Sequence, residues 1–152
     1  MTATNHVVTG AVVAAAIGQP AVALPVAFLL HFVLDALPHY GHRDDEPAAK
    51  SYERLKLLLP IDAAVAALIL LAIVLAHPPN WPVMVLGGIL CASPDMMWMP
   101  KFVRHLLGKA SSAQPNWLMR FHHWIQWGER GWGKYVEAVW FVVIGGLLLN
   151  RL

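Results

Sequence analysis

Three apolar stretches carry their ionisable side chains at matching depths, and this pattern restricts how the chain can fold. His31 and Asp35 lie near the end of the first stretch, Asp62 near the start of the second, and Asp95 near the end of the third. An apolar surrounding tolerates such groups only where they face a protein interior, pair, or hold an ion. His31 stands six residues before Leu37, Asp62 six after Lys56 and Asp95 six before Lys101. At a helical rise of roughly 1.5 Å per residue, each lies about 9 Å in from its polar border. If the stretches are membrane-crossing helices, parity brings all of these groups to the same side, so a single shared polar site is expected.

Composition supports the membrane premise. The 152 residues are 58% apolar and 13% charged, with a mean hydropathy of +0.54, against about 25% charged in soluble domains. The expected fold is all-α: one domain, 1–152, forming a small integral membrane helical bundle. A net charge of +2 is too small to imply nucleic acid. The single Cys91 excludes an intrachain disulfide and a Cys-rich zinc site, and its apolar setting reads as a small buried hydrophobe. Residues 1–6 lack the positive charge of a secretory signal, so the first apolar region is expected to be retained.

Val7 to Ile17 is apolar but too short to span, since a crossing helix needs roughly 20 residues. Gly18-Gln19-Pro20 interrupts it before Ala21 to Leu37, which Pro38 ends. The region 7–37 is therefore either a helix that dips in and returns or one long broken helix. A polar loop begins at Tyr40 and leads into a short helical stretch, Ala48 to Lys56. Leu57 to Ala76 is about one span long, and Val83 to Met99 is the next, with Pro94 expected to kink it. Tyr135 to Leu149 is the last apolar helix. The total is about four spanning or near-spanning helices, one of them preceded by a short N-terminal apolar helix.

Basic residues set the orientation. The segment 40–56 holds Arg43, Lys50, Arg54 and Lys56; the segment 101–134 holds Lys101, Arg104, Lys109, Arg120, Arg130 and Lys134; the turn 77–82 holds none. Both basic segments are expected in the cytoplasm, giving a multi-pass protein of the inner membrane. Arg151 at the far end is the exception. Residues 117–127 combine helical apolar spacing with dense Trp, the pattern of an amphipathic helix lying in the interface.

The cytoplasmic end then collects candidate metal ligands: His6, His31, Asp35, His39, Asp95 and His122. His31 and Asp35, four apart, share a helix face. Adjacent His122 and His123 face different ways, so one of them at most points inward. Asp62 and Glu137 are candidate general bases. His42 and His105 read as solvated loop residues, and His77 belongs to the opposite end. Imidazole with carboxylate suits zinc, iron or manganese, and a divalent ion offsets the repulsion among buried carboxylates. Zinc is the expected cofactor.

The string His31-Phe-Val-Leu-Asp35-Ala-Leu-Pro38-His39 resembles the H-x3-D element of small bacterial membrane-bound metal-dependent hydrolases. More loosely it is similar to the zinc-ligand string of zinc-dependent phospholipase C and the P1-type nucleases. Asn5-His6 followed by Gly10, and Ser93-Pro94-Asp95, resemble the opening and the L-P-D segment of the membrane family. Met97 stands where that family has a second Asp. The resemblance implies metal positions at His6, His31, Asp35 and Asp95, with His39 carried by the nuclease-like string.

The expected function is a membrane-embedded metal-dependent hydrolase acting on a phosphoester or lipid-like substrate, with Arg104 or Arg120 holding the phosphate. The competing reading is a non-enzymatic membrane protein whose His/Asp cluster binds a structural ion or holds helices together. A third is haem or quinone binding through His31, His122 and the Trp-rich helix. Membrane lipid is the expected partner. The apolar faces suit lipid or another copy of the chain equally.

Overall fold

A computed structural model describes residues 1–41, 48–108 and 116–152. The polar stretch 42–47, with His42 and Arg43, and residues 109–115, with Lys109, lie outside the described residues. The described chain is helical: α1 (Ala3–Ile17), α2 (Pro20–Ala36), α3 (Ala48–Ala76), α4 (Trp81–Ala92), α5 (Met99–Leu106), α6 (Trp117–Ile125) and α7 (Gly133–Leu149), with 3-10 turns at Ser93–Trp98 and Gln126–Gly128.

The N-terminal region resolves into a hairpin. Gly18 adopts φ 71° and its N–H bonds back to the Ala14 carbonyl, a conformation glycine takes at little steric cost. Pro20 then opens α2, where its missing N–H costs nothing. The two helices run back along each other, so His6 near the start of α1 stacks on His31 near the end of α2, their ring centroids 4.2 Å apart.

Helix α1 is the central element, packing against α2, α3, α4 and α7. Its approach to α4 depends on small residues. A Cβ added at Gly10 would overlap the Gly87 carbonyl, and one at Gly87 would lie 2.5 Å from the Ala14 Cβ and 2.8 Å from the Gly10 carbonyl oxygen. Such small-residue seams let helix backbones come close. Away from the polar end, Val8, Ala11, Ile73, Met84 and Leu148 form a dry cluster.

Two expected segments change shape. The short helix 48–56 and the run 57–76 are one continuous helix, α3, which passes through Pro60. The run expected over Val83 to Met99 leaves α-helix at Ala92 and winds as a 3-10 turn. Pro94 cannot donate to the helical ladder, and the Ser93 hydroxyl donates back to the Leu90 carbonyl at 2.8 Å, so both residues favour the change of winding. Glu53–Ala76 is long and apolar enough to cross a membrane; α1 and α2 are shorter apolar helices. Among the described residues, Glu53–Ala76 is the one helix that is both long and apolar enough, short of the four spanning or near-spanning helices expected.

Candidate metal centre

Four side chains from three parts of the chain meet at one end of the bundle. His31 and Asp35 come from the last turns of α2, Asp95 from the 3-10 turn after α4, and His122 from α6. One donor atom from each lies within 4.8 Å of all the others. His31, Asp35 and His122 are fully buried, and the Asp95 side chain is 31% exposed. Asp95 is thus the one donor of the four with an exposed edge.

The spacing of the donors is informative. His31 Nε2 lies 2.8 Å from His122 Nε2 and 3.3 Å from Asp35 Oδ2. His122 Nε2 lies 3.3 Å from both Asp35 Oδ2 and Asp95 Oδ1, and His31 Nε2 lies 3.8 Å from Asp95 Oδ1. A tetrahedral zinc ion with ligands at roughly 2.0–2.1 Å needs donors about 3.3 Å apart. Five of the six separations run from 2.8 to 3.8 Å around that value, and the two carboxylates lie within 4.8 Å of each other, so the group could hold a small divalent ion.

The surroundings prepare one imidazole and hinder the other. His31 Nδ1 lies 2.8 Å from the Cys91 carbonyl. A carbonyl only accepts, so Nδ1 carries the ring proton and Nε2 presents its lone pair to the centre, the orientation metal-bound histidines take. In 3-10 winding the Cys91 carbonyl would accept from residue 94; Pro94 has no N–H, which leaves that oxygen for His31. His122 differs. The Trp98 indole N–H donates to its Nδ1 at 3.0 Å, whereas ligation through Nε2 needs the proton on Nδ1. Trp98 must turn aside when an ion binds. Burial opposes a charge on His122, while hydrogen bonds to Asp35 and Asp95 favour it and raise its pKa to about 9; a charged ring has no lone pair for the indole, so the Trp98 bond belongs to the neutral ring with its proton on Nε2.

Asp35 is the hub. Besides its contacts with His31 and His122 through Oδ2, its Oδ1 lies 3.1 Å from His6 Nε2 and 2.5 Å from the Met1 amino nitrogen. Gln126, in the 3-10 turn after α6, donates to Oδ2 at 3.4 Å. Gln126 and Trp98 were not among the expected site residues. Gln126 follows His122 by four and Trp98 follows Asp95 by three, spacings readable in the sequence that return a helix to the same face.

The structure does not bring Asp62, His39 or Glu137 into this group. Asp62 caps α1: its carboxylate accepts from the Ala3 and Thr4 amides at 2.6 and 3.0 Å. The N-cap residue Thr2 makes no side-chain cap of its own, and α3 supplies the acceptor those orphan amides require. His39 pairs with the 128–130 segment instead. Its amide donates to the Gly128 carbonyl at 3.2 Å, and its carbonyl accepts from the Arg130 amide at 2.8 Å. Its Nδ1 bonds the Leu37 carbonyl at 2.8 Å, and burial pushes its pKa down to about 4. Glu137 is buried on α7 and accepts from the Tyr40 amide at 3.3 Å. His77 lies at the opposite end, against Trp81, and Cys91 is fully buried, both as expected. Comparison with family models found no match, and neither did comparisons with curated proteins and with solved structures.

Proposed function

We propose that this protein is a membrane-embedded, metal-dependent hydrolase acting on a phosphoester or lipid-like substrate at the cytoplasmic face. The observation that carries the proposal is the convergence of donors from His31, Asp35, Asp95 and His122 to within 4.8 Å of one another, drawn from segments up to 91 residues apart. Two further features support it. Large apolar side chains line the exterior of α2, α3 and α7, including Leu29, Val33, Leu68, Leu75, Val139 and Val142, while the buried interior at the site end is polar. That inversion suits a lipid surrounding. Exposed Trp117, Trp124, Trp127 and Trp132 gather near the same end, as an interfacial belt would.

A divalent ion at this position supplies a Lewis acid and lowers the pKa of water toward 7. Among the protein groups, His31 is held in register by the Cys91 carbonyl, and Asp35 by its bonds to His6 and Gln126. Asp95, the one partly exposed donor, marks the side from which water and a headgroup phosphoester would approach. Neither Asp62 nor Glu137 is placed to take a proton at this centre, since each is committed to backbone amides of other segments.

A second reading is a structural ion or a hydrogen-bonded helix clamp. The closed chain Cys91–His31–His122–Trp98 favours it, because it satisfies the imidazoles without any ion. Elemental analysis of detergent-purified wild type beside His31→Ala, with a panel of phospholipid, phosphodiester and ester substrates, separates these readings. The hydrolase reading expects bound metal and turnover in the wild type and loss of both in the variant. Bound metal without turnover on any substrate would leave the structural-ion reading; absence of metal would remove both ion readings.

A further inference from the structure

Both carboxylates at the centre are divided between two positions. Asp35 turns Oδ2 toward His31 and His122, at 3.3 Å from each, and Oδ1 toward His6 Nε2 at 3.1 Å. Asp95 does the same: Oδ1 lies 3.3 Å from His122 Nε2, and its other oxygen, Oδ2, lies 3.9 Å from His6 Nε2. The second oxygen of each carboxylate is thus aimed at a single imidazole nitrogen from α1, outside the four-donor group. The rings of His6 and His31 are stacked 24° from parallel with centroids 4.2 Å apart, so their Nε2 edges lie side by side over the same pair of carboxylates.

We propose that the centre holds two divalent ions, bridged by Asp35 and Asp95. His31 and His122 complete the first position, and His6 completes the second. Carboxylate-bridged ions sit roughly 3.5–4 Å apart, and a stack of two imidazoles about that far apart offers one nitrogen to each. Two bridging carboxylates and three neutral imidazoles carry too little negative charge to satisfy two dications, so solvent or an anionic substrate group completes the shell. The partial exposure of Asp95 gives such a group access. The Met1 amino group lies 2.5 Å from Asp35 Oδ1 and would have to leave that oxygen for the second ion to enter. A paired centre clamps both the attacking and the leaving oxygen of a phosphoester, which specifies the substrate class further than a single ion does. The inference rests on the metal-centre reading above.

The test is metal stoichiometry on the full chain in detergent, stripped with chelator and reloaded with zinc. Wild type is expected to hold about two equivalents, and His6→Ala about one. Manganese loading gives a second readout that needs no variant: two bridged ions show a magnetically coupled resonance spectrum, a single ion does not. His6→Gln serves if His6→Ala fails to fold. One equivalent in wild type with an uncoupled manganese spectrum overturns the second position and leaves the mononuclear centre standing. Two equivalents that survive loss of His6 overturn it as well. No bound metal in wild type removes the paired centre together with the reading it rests on.

Discussion

The two ends of α1 face the same helices yet are built from opposite materials. Toward its N-terminus, Thr4, Asn5, His6 and Thr9 are buried among polar partners; toward its C-terminus, Ala11 and Ala14 are buried in a dry seam. At the polar end, specific bonds hold the elements: Thr9 donates to the Asn5 carbonyl, Trp140 to Thr9, and Asn5 to the Glu137 carbonyl. At the other end, close backbone contact does the holding. The apolar seam can therefore position the helices without the site. The polar end can then carry charges that would otherwise be unaffordable in such a fold.

The comparison breaks most visibly if each end is damaged in turn. Asp35→Ala removes the hub that binds His6, His31 and His122. Loss of one member of a buried ionic group costs about 3–5 kcal/mol. The more specific signature is loss of any stabilisation by added zinc, since binding to the folded state alone raises stability by about 2.7 kcal/mol at a hundredfold excess over Kd. Gly87→Val forces α1 and α4 apart and is expected to cost about 1–3 kcal/mol. That cost should be equal in zinc-loaded and chelator-stripped protein. Thermal unfolding in detergent with and without chelator reads both. If Gly87→Val abolished the zinc effect while Asp35→Ala kept it, the division of labour between the two ends would be wrong.

Depth along a helix was readable in the sequence, but direction around it was not, and that explains which residues gathered. His31 and Asp35 could be paired because four residues return a helix to the same face. Asp95 could be placed by its depth near the end of its apolar run. Asp62 has the same depth, yet its carboxylate turns to the start of α1, because two amides there lacked acceptors. The sequence of α3 carries no sign of that need, which belongs to another helix. His39, expected as a ligand, lies elsewhere for a related reason. Its neighbours across the 37–41 segment come from 128–133, where Gly133 lets the backbone approach so closely that a Cβ would overlap His39 itself. The hairpin of α1 and α2 was legible as one of two alternatives; the Gly18 turn decided between them.

Asp62 gives the next contrast, smaller than that of Asp35 and opposite in kind. Asp62→Ala leaves the Ala3 and Thr4 amides without their acceptor, and loss of a helix cap costs about 0.5–2 kcal/mol. Zinc content should be unchanged. Calorimetry beside elemental analysis distinguishes the two aspartates: Asp35→Ala loses metal, whereas Asp62→Ala loses stability alone. A fall in zinc content in Asp62→Ala would mean that its capping role reaches the centre through His6, two residues beyond the capped amide of Thr4.

The smallest expected effect tests whether the polar end is set for an ion or for its own hydrogen bonds. Trp98 donates to His122 Nδ1, the atom that must hold a proton when Nε2 binds metal. The indole and the ion therefore compete for the state of one ring. Trp98→Phe keeps an aromatic side chain near His122, centroid 5.9 Å away in the native ring pair, while removing the donor. A neutral hydrogen bond contributes about 1 kcal/mol, so its loss from the metal-free state should tighten zinc binding about fivefold, measured by competition with a chelating dye. A structural clamp predicts the reverse: breaking the Cys91–His31–His122–Trp98 chain would loosen the helices and weaken whatever binds among them. The sign of the change in affinity separates a centre arranged around an ion from one arranged around its own protons.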